Sequence, residues 1–177
     1  MNWYIGAVTA HPILMAIAQF SVLGTFGEIV SKWIVNKKVF MPFKFKMILW
    51  KMVVWTILAV TIKYAFAGFK GYVQALVEHD LLPEAAGTNR FFRAFVLSVF
   101  INMQFGVFLV VFHRALDNIV IKVKNWQGLD KGMLSMIWFW IPAHTITFML
   151  QKEFQIGLAA IWSVALGILL GFFNKKQ

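Results

Sequence analysis

The stretch FFRAFVLSVFINMQFGVFLVVFHRALDNIVI, residues 91–121, decides the fold of this chain. Between Ala94 and Phe112 it carries no charged residue. A helix of about 20 mostly apolar residues is long enough to cross a hydrocarbon core of ~30 Å. The stretch therefore predicts a helix that spans a membrane.

The composition of the whole chain supports the same class of protein. Its 177 residues are 60% hydrophobic and include 19 Phe, and the mean hydropathy is +0.74. A water-soluble core of this size could not bury so much apolar surface. The excess must face lipid, which argues against a soluble protein.

Four further apolar segments accompany the first. They run from about His11 to Ile34, Met47 to Val77, Met133 to Leu150 and Phe154 to Phe173. We predict an all-α, polytopic membrane helix bundle that forms one integral-membrane domain over residues 1–177. It has five transmembrane helices, or four if the segment that Pro142 interrupts is re-entrant or interfacial.

The basic residues predict the orientation and the lipid partners. The joint after the first segment holds most of them, namely Lys32, Lys37, Lys38, Lys44, Lys46 and Lys51. Because lysine and arginine stay on the cytoplasmic side, five crossings put the N-terminus outside, with Arg90 and Arg93 as exceptions. The net charge of +10 is spread over such joints, which indicates anionic lipid head groups near Lys37, Lys38, Lys44 and Lys46, and no nucleic acid.

Small residues at four-residue spacing predict the packing faces of the helices. Such rows stand in the second, third and last segments: Ala59, Ala67, Gly71 and Ala75; Ala94, Ser98, Asn102 and Gly106; Ala159, Ser163, Gly167 and Gly171. Small side chains let helix backbones approach each other closely in lipid. Packing within one chain is the favoured interpretation, and a homo-oligomer is the alternative.

Ionisable residues within the segments are the candidate functional residues, because a charge at membrane depth costs ~3 kcal/mol or more. Lys63 lies midway through the second segment, where it lines a pore, snorkels to the membrane surface or is structurally paired. Glu28 with Lys32, and Arg114 with Asp117, form two pairs of near neighbours on helix faces. If both pairs lie at the cytosolic end, they form a four-charge cluster that is either structural or selects ions.

Two polar residues, Asn102 and His144, extend this set. With Lys63 they could line a polar path through the bundle. The four His show no ligand spacing with carboxylates, and the chain has no Cys, so we predict no metal site. We find no catalytic or nucleotide-binding motif and predict neither a cofactor nor an enzyme.

Several of these residues carry a resemblance to the Mpv-type family of peroxisomal and mitochondrial inner-membrane proteins. His11-Pro12 precedes Gly27-Glu28 at the family's spacing, and residues 106–117 resemble its Gly-Pro…Trp-Tyr-Lys-x-Leu-Asp motif. Trp140-Ile141-Pro142 resembles its Trp-Pro pattern. The chain departs from the family at Glu28 for Asp, Lys32 for Gln and Val107 for Pro, which is typical of a divergent, bacterial member.

The resemblance implies four spans and, for some members, weakly selective channels. We therefore expect a small channel or permeation path for ions or small solutes, with a non-conducting scaffold or interaction protein as the alternative. The expected location is a bacterial cytoplasmic membrane or, in a eukaryote, the mitochondrial inner or peroxisomal membrane.

Overall fold

The computed structural model describes residues 2–120 and 124–173, and within them every regular element is helical. The α-helices are α1 (Asn2–Ala10), α2 (Pro12–Asn36), α3 (Phe45–Glu78), α4 (Ala85–Thr88), α5 (Arg90–Phe100), α6 (Val107–Asn118), α7 (Leu129–Ser135), α8 (Ile141–Phe148) and α9 (Lys152–Phe173). Two π-helical segments, Ile101–Gly106 and Met136–Trp140, join α5 to α6 and α7 to α8. The all-α prediction is confirmed.

Four helices are long and apolar enough to cross a membrane: Pro12–Asn36, Phe45–Glu78, Arg90–Asn118 and Lys152–Leu169. The protein is therefore an integral membrane protein by length and composition of its helices. The remaining predicted segment is helical from Leu129 to Phe148, but a π-helical segment divides it into α7 and α8. Whether it crosses distinguishes the five-span prediction from the four-span one.

The chain divides into two compact units. The first comprises Met1–Val60 with Ile156–Gln177, and the second Thr61–Gln155. Both divisions fall inside helices, in α3 and in α9. The single integral-membrane domain stays a prediction.

In the first unit, glycines bring α9 against α2. A Cβ atom added to Gly167 would lie 2.3 Å from the carbonyl oxygen of Gly27, and one added to Gly27 would lie 2.8 Å from that of Ser163. A Cβ atom added to Gly171 would lie 3.1 Å from the carbonyl oxygen of Ser31. The small-residue row of the last segment therefore packs within the chain, as the favoured interpretation predicts.

In the second unit, α5 packs against α8. The row of the third segment faces inward, since Ala94, Ser98, Asn102 and Gly106 are all buried. Gly106 leaves room for the Sδ atom of Met136 in the other π-helical segment. This row too is an intramolecular packing face.

The row of the second segment behaves differently from its prediction. Ala59 is buried, but Ala67, Gly71 and Ala75 are exposed, and nothing lies within 4 Å of a Cβ atom added to Gly71. The inward face of α3 in the second unit instead carries large side chains such as Phe66 and Val73. The spacing of small residues alone did not identify the buried face, because bulky apolar residues also pack there.

Adding one methyl group tests the contact between α2 and α9. We expect Gly167→Ala to lower the free energy of unfolding by about 1–3 kcal/mol, because the new carbon meets a backbone carbonyl that cannot rotate away. Gly71→Ala is the matched control, expected to be neutral or up to ~1 kcal/mol stabilising because Ala favours helix. Thermal unfolding in detergent measures both; equal effects would contradict close packing at Gly167.

The absence of Cys permits a test of the segment Leu129–Phe148. Gln127 and Gln151 are exposed and flank it. In sealed vesicles a membrane-impermeant maleimide should label Gln127→Cys and Gln151→Cys from opposite sides if the segment crosses, as five spans require. Labelling from the same side would establish four spans, and Lys37→Cys and Thr88→Cys serve as references that flank α3.

Candidate polar sites in the membrane helices

Glu28 on α2 forms the centre of a polar site in the first unit. Its Oε2 atom pairs with the ammonium of Lys51 on α3, and its Oε1 atom accepts a hydrogen bond of 2.8 Å from the indole of Trp55. Lys51 is 7% exposed, and its Nζ atom lies 5.0 Å from the ring centroid of Phe43. The carboxylate and the aromatic ring both compensate the buried cation.

This arrangement differs from the predicted pairing of Glu28 with Lys32. The side chain of Lys32 is exposed and makes no hydrogen bond or ion pair within the residues the structure describes. Local spacing favoured the neighbour one helical turn away, whereas Lys51 lies 23 residues along the chain. The partner is set by the packing of α3 on α2, which local spacing does not contain.

Arg114 and Asp117 lie at the end of α6 in the second unit. The Nη2 atom of Arg114 donates to the carbonyl of Gln127 at 3.1 Å, and Asp117 lies 3.8 Å from His113 one turn earlier. Arg114 thus connects α6 to the segment before α7. Glu28 and Lys32 belong to the other unit, so the four-charge cluster stays a prediction.

Asn102 and His144 lie together in the second unit. Asn102 is 2% exposed; its Nδ2 atom donates to the carbonyl of Ser98 at 2.7 Å, and its Oδ1 atom lies 3.2 Å from Nδ1 of His144. Ser98 donates in turn to the carbonyl of Ile141 at 2.7 Å. Because Oδ1 can only accept, Nδ1 of His144 carries the proton.

Aromatic rings surround the imidazole of His144. The ring centroids of Trp140 and Phe66 lie 5.0 Å and 5.4 Å from it. The network of Ser98, Asn102 and His144 joins α5 to α8 and satisfies polar atoms that would be costly in an apolar setting. Its geometry is that of a packing element, and it supplies no nucleophile paired with a general base.

Basic side chains converge where α3, α5 and α9 meet within the second unit. Lys70 donates to Oε1 of Gln155 at 2.6 Å. The charges of Lys63, Arg93 and Lys152 all act on Lys70. We call Lys63, Lys70, Arg93 and Lys152 the Lys70 cluster.

Lys63 is the member that the sequence analysis singled out. It is partly buried, and the carboxylate of Glu153 attracts its charge. Within residues 2–120 and 124–173 its ammonium makes no hydrogen bond. Lys63 lies inside the candidate membrane span Phe45–Glu78, where the described side chains leave the solvation of its ammonium incomplete.

A groove of about 460 Å³ runs along the flank of α3 that is opposite to Lys63 and Lys70. Its lining is mostly apolar and aromatic: Thr61, Tyr64, Ala65, Gly68, Phe69, Tyr72, Gln104 and Phe105. The hydroxyl of Tyr72 accepts from Gln104 at 3.5 Å. An apolar groove of this kind suits hydrocarbon chains better than it suits water or ions.

The sequence analysis did not foresee the role of Lys51, Ser98 or Gln155. For the basic site around Gln155 the sequence held one signal. Arg90 and Arg93 are exceptions to the orientation rule, and they lie near this site. No known family profile, curated protein or solved structure is significantly similar to this chain. The fold and the polar sites define an all-α integral membrane protein, and the Mpv-type resemblance stays a prediction.

Removing the charge of Glu28 tests the buried ion pair. We expect Glu28→Gln to lower the free energy of unfolding by roughly 3 kcal/mol, because the buried Lys51 keeps its charge and loses its counter-ion. Glu78→Gln is the control: Glu78 is exposed and bonded to Gln74, so we expect less than ~0.5 kcal/mol. Thermal unfolding in detergent is the measurement.

The double variant Glu28→Gln with Lys51→Met separates the charge effect from packing. It should recover much of the lost stability, since it leaves no uncompensated charge. If Glu28→Gln alone unfolds at the wild-type temperature, the pair is not a stabilising element.

Proposed function

We propose that the protein provides a permeation path for ions or small solutes, lined in part by Lys63. The observation that carries the proposal is the solvation of this residue. A charged ammonium at membrane depth needs a carboxylate, hydrogen-bond acceptors or water. Glu153 attracts the charge of Lys63 but accepts no hydrogen bond from it within the described residues, and we infer that water reaches the ammonium.

The position of Lys63 along α3 supports this argument. Lys63 precedes Lys70 by two helical turns, a rise of about 10 Å. The aliphatic chain of a lysine extends only about half of that distance beyond the backbone, so snorkelling alone does not bring Lys63 level with Lys70. A water-filled cleft beside α3 is the arrangement that solvates it, and such a cleft is the beginning of a polar path.

The charges around this cleft favour anions. Lys70, Arg93 and Lys152 act on the same region, and Glu153 is the carboxylate among them. Rings of lysine and arginine select anions in pores, because they lower the free energy of an entering negative charge. A path past Lys63 therefore prefers small anions to cations.

A non-conducting scaffold is the second candidate function, and a specific observation favours it. Glu28 is bonded to Lys51 and Trp55, and Asn102 is bonded to Ser98 and His144. Such bonds between helices support a packing role for these predicted pore residues. In a scaffold the polar residues would fix the helices and carry no solute.

The remaining expectations complete the proposal. Anionic lipid head groups bind the exposed lysines of the joint between α2 and α3: Lys37, Lys38, Lys44 and Lys46. Neither catalysis nor nucleic acid has a part in it. The proposed location is a bacterial cytoplasmic membrane, or a mitochondrial inner or peroxisomal membrane, as the Mpv-type resemblance implies.

Current through planar bilayers tests the path. Purified wild-type protein should give discrete currents whose reversal potential in a KCl gradient indicates a preference for chloride. We expect Lys63→Ala to reduce that preference, because the charge that lowers the energy of the anion is gone. Lys38→Ala, which removes an exposed loop charge, is the control and should keep the wild-type reversal potential.

Two results would count against the proposal. Wild-type currents in Lys63→Ala would remove Lys63 from the path. Repeated silence from protein with a normal unfolding transition would favour the scaffold.

A further inference from the structure

The Lys70 cluster is built by contacts between three helices of the second unit. Arg90 at the start of α5 donates to the carbonyl of Met149, in the connection before α9. Lys70 of α3 donates to Gln155 of α9, whose Nε2 atom donates to the carbonyl of Leu150 at 2.9 Å. These contacts hold α3, α5 and the start of α9 together, so the basic side chains are gathered by the fold.

The gathered charges are not balanced by the carboxylates nearby. The other three cations of the cluster repel the charge of Lys70, and Glu153, 3.9 Å from Lys152, is the carboxylate that attracts it. Repulsion between like charges is stronger where burial lowers the effective dielectric constant. A bound anion would relieve it.

The cluster also has hydrogen-bond donors to spare. An ammonium has three N–H donors and a guanidinium five, and Lys70 uses one on Gln155. Arg93, which is partly buried, makes no side-chain hydrogen bond within the described part of the chain. A ligand with several acceptor oxygens would match these donors.

The position of the cluster at helix ends indicates where such a ligand lies. Arg93 lies in the first turn of the candidate span Arg90–Asn118, and Lys152 is the first residue of the candidate span Lys152–Leu169. The ends of a membrane-spanning helix lie close to the interface, because about 20 residues suffice to cross the hydrocarbon core. Lipid phosphates lie at that depth, and soluble anions reach it from water.

The side of the membrane on which the cluster lies is unfavourable for basic residues. In the predicted orientation this end of α3 faces outside, where arginine and lysine are disfavoured. Arg90 and Arg93 are the exceptions to that rule, and both lie at the cluster. A binding role accounts for their position, whereas general attraction to the cytoplasmic leaflet does not.

We propose that Lys70, Arg93 and Lys152 form a binding site for a phosphate group, together with Lys63, two helical turns before Lys70 on α3. A phosphate offers multiple charged acceptors, and a guanidinium can bind two of its oxygens at once. The group is carried by an anionic lipid or by a soluble phosphate. The site shares Lys63 with the proposed permeation path, but binding requires no conduction.

The test uses the full-length protein in a non-ionic detergent and two probes. One is inorganic phosphate, and the other is dihexanoyl phosphatidic acid, a lipid with a phosphate monoester. Isothermal titration calorimetry at constant ionic strength measures the affinity of each probe, with chloride as the reference anion. We expect Arg93→Gln to weaken binding about tenfold or more, because a charge-assisted contact is lost, and Lys152→Gln, at an exposed side chain, to weaken it about threefold.

Lys124→Gln is the matched control, since it removes one exposed positive charge from the joint between α6 and α7, outside the cluster. Its affinity for both probes should stay within about twofold of wild type. Binding of both probes supports a site open to soluble phosphate, and binding of the lipid alone supports an interfacial head-group site. Wild-type affinity in Arg93→Gln and Lys152→Gln, or binding no tighter than that of chloride, would overturn the proposal. Because no current is measured, its failure and that of the permeation path are separate results.

Discussion

The ion pair between Glu28 and Lys51 meets a constraint that governs the whole chain. In hydrocarbon, a charge or a polar group has no water to bind and must find its partner in the protein. Lys51 finds a carboxylate on another helix and an aromatic ring nearby. The carboxylate in turn receives the indole of Trp55. One buried cation is thus held at a contact between α2 and α3 in the first unit.

In the second unit, the contact between α5 and α8 meets the same constraint with neutral polar groups. Ser98, Asn102 and His144 pass hydrogen bonds between α5 and α8, so that two helices are joined by neutral groups. Both π-helical segments lie beside this network, and Gly106 makes room for Met136 between them. Such π-helical turns are rare and occur mostly as bulges inside α-helices, and Asn102 lies in one of them.

The Lys70 cluster is where the chain does not fully satisfy the constraint. Its cations outnumber the carboxylate beside them, and on α3 Lys63 lies farther than Lys70 from the end of the helix at Glu78. Groups left incompletely paired in a membrane are those through which a solute, water or a ligand can act. The groove on the opposite flank of α3 is apolar by contrast. One helix therefore carries a hydrocarbon-facing flank and a charged flank.

The sequence alone determined the all-α class and membrane location, because the length and apolarity of a segment are local properties. It also identified the packing rows at Asn102 and Gly167, since small residues at helical spacing share one face. Only the tertiary structure decided that Glu28 pairs with Lys51 rather than Lys32, and that Lys70 and Arg93 converge. Those partners lie on different helices, and their pairing depends on helix packing, which no local spacing records.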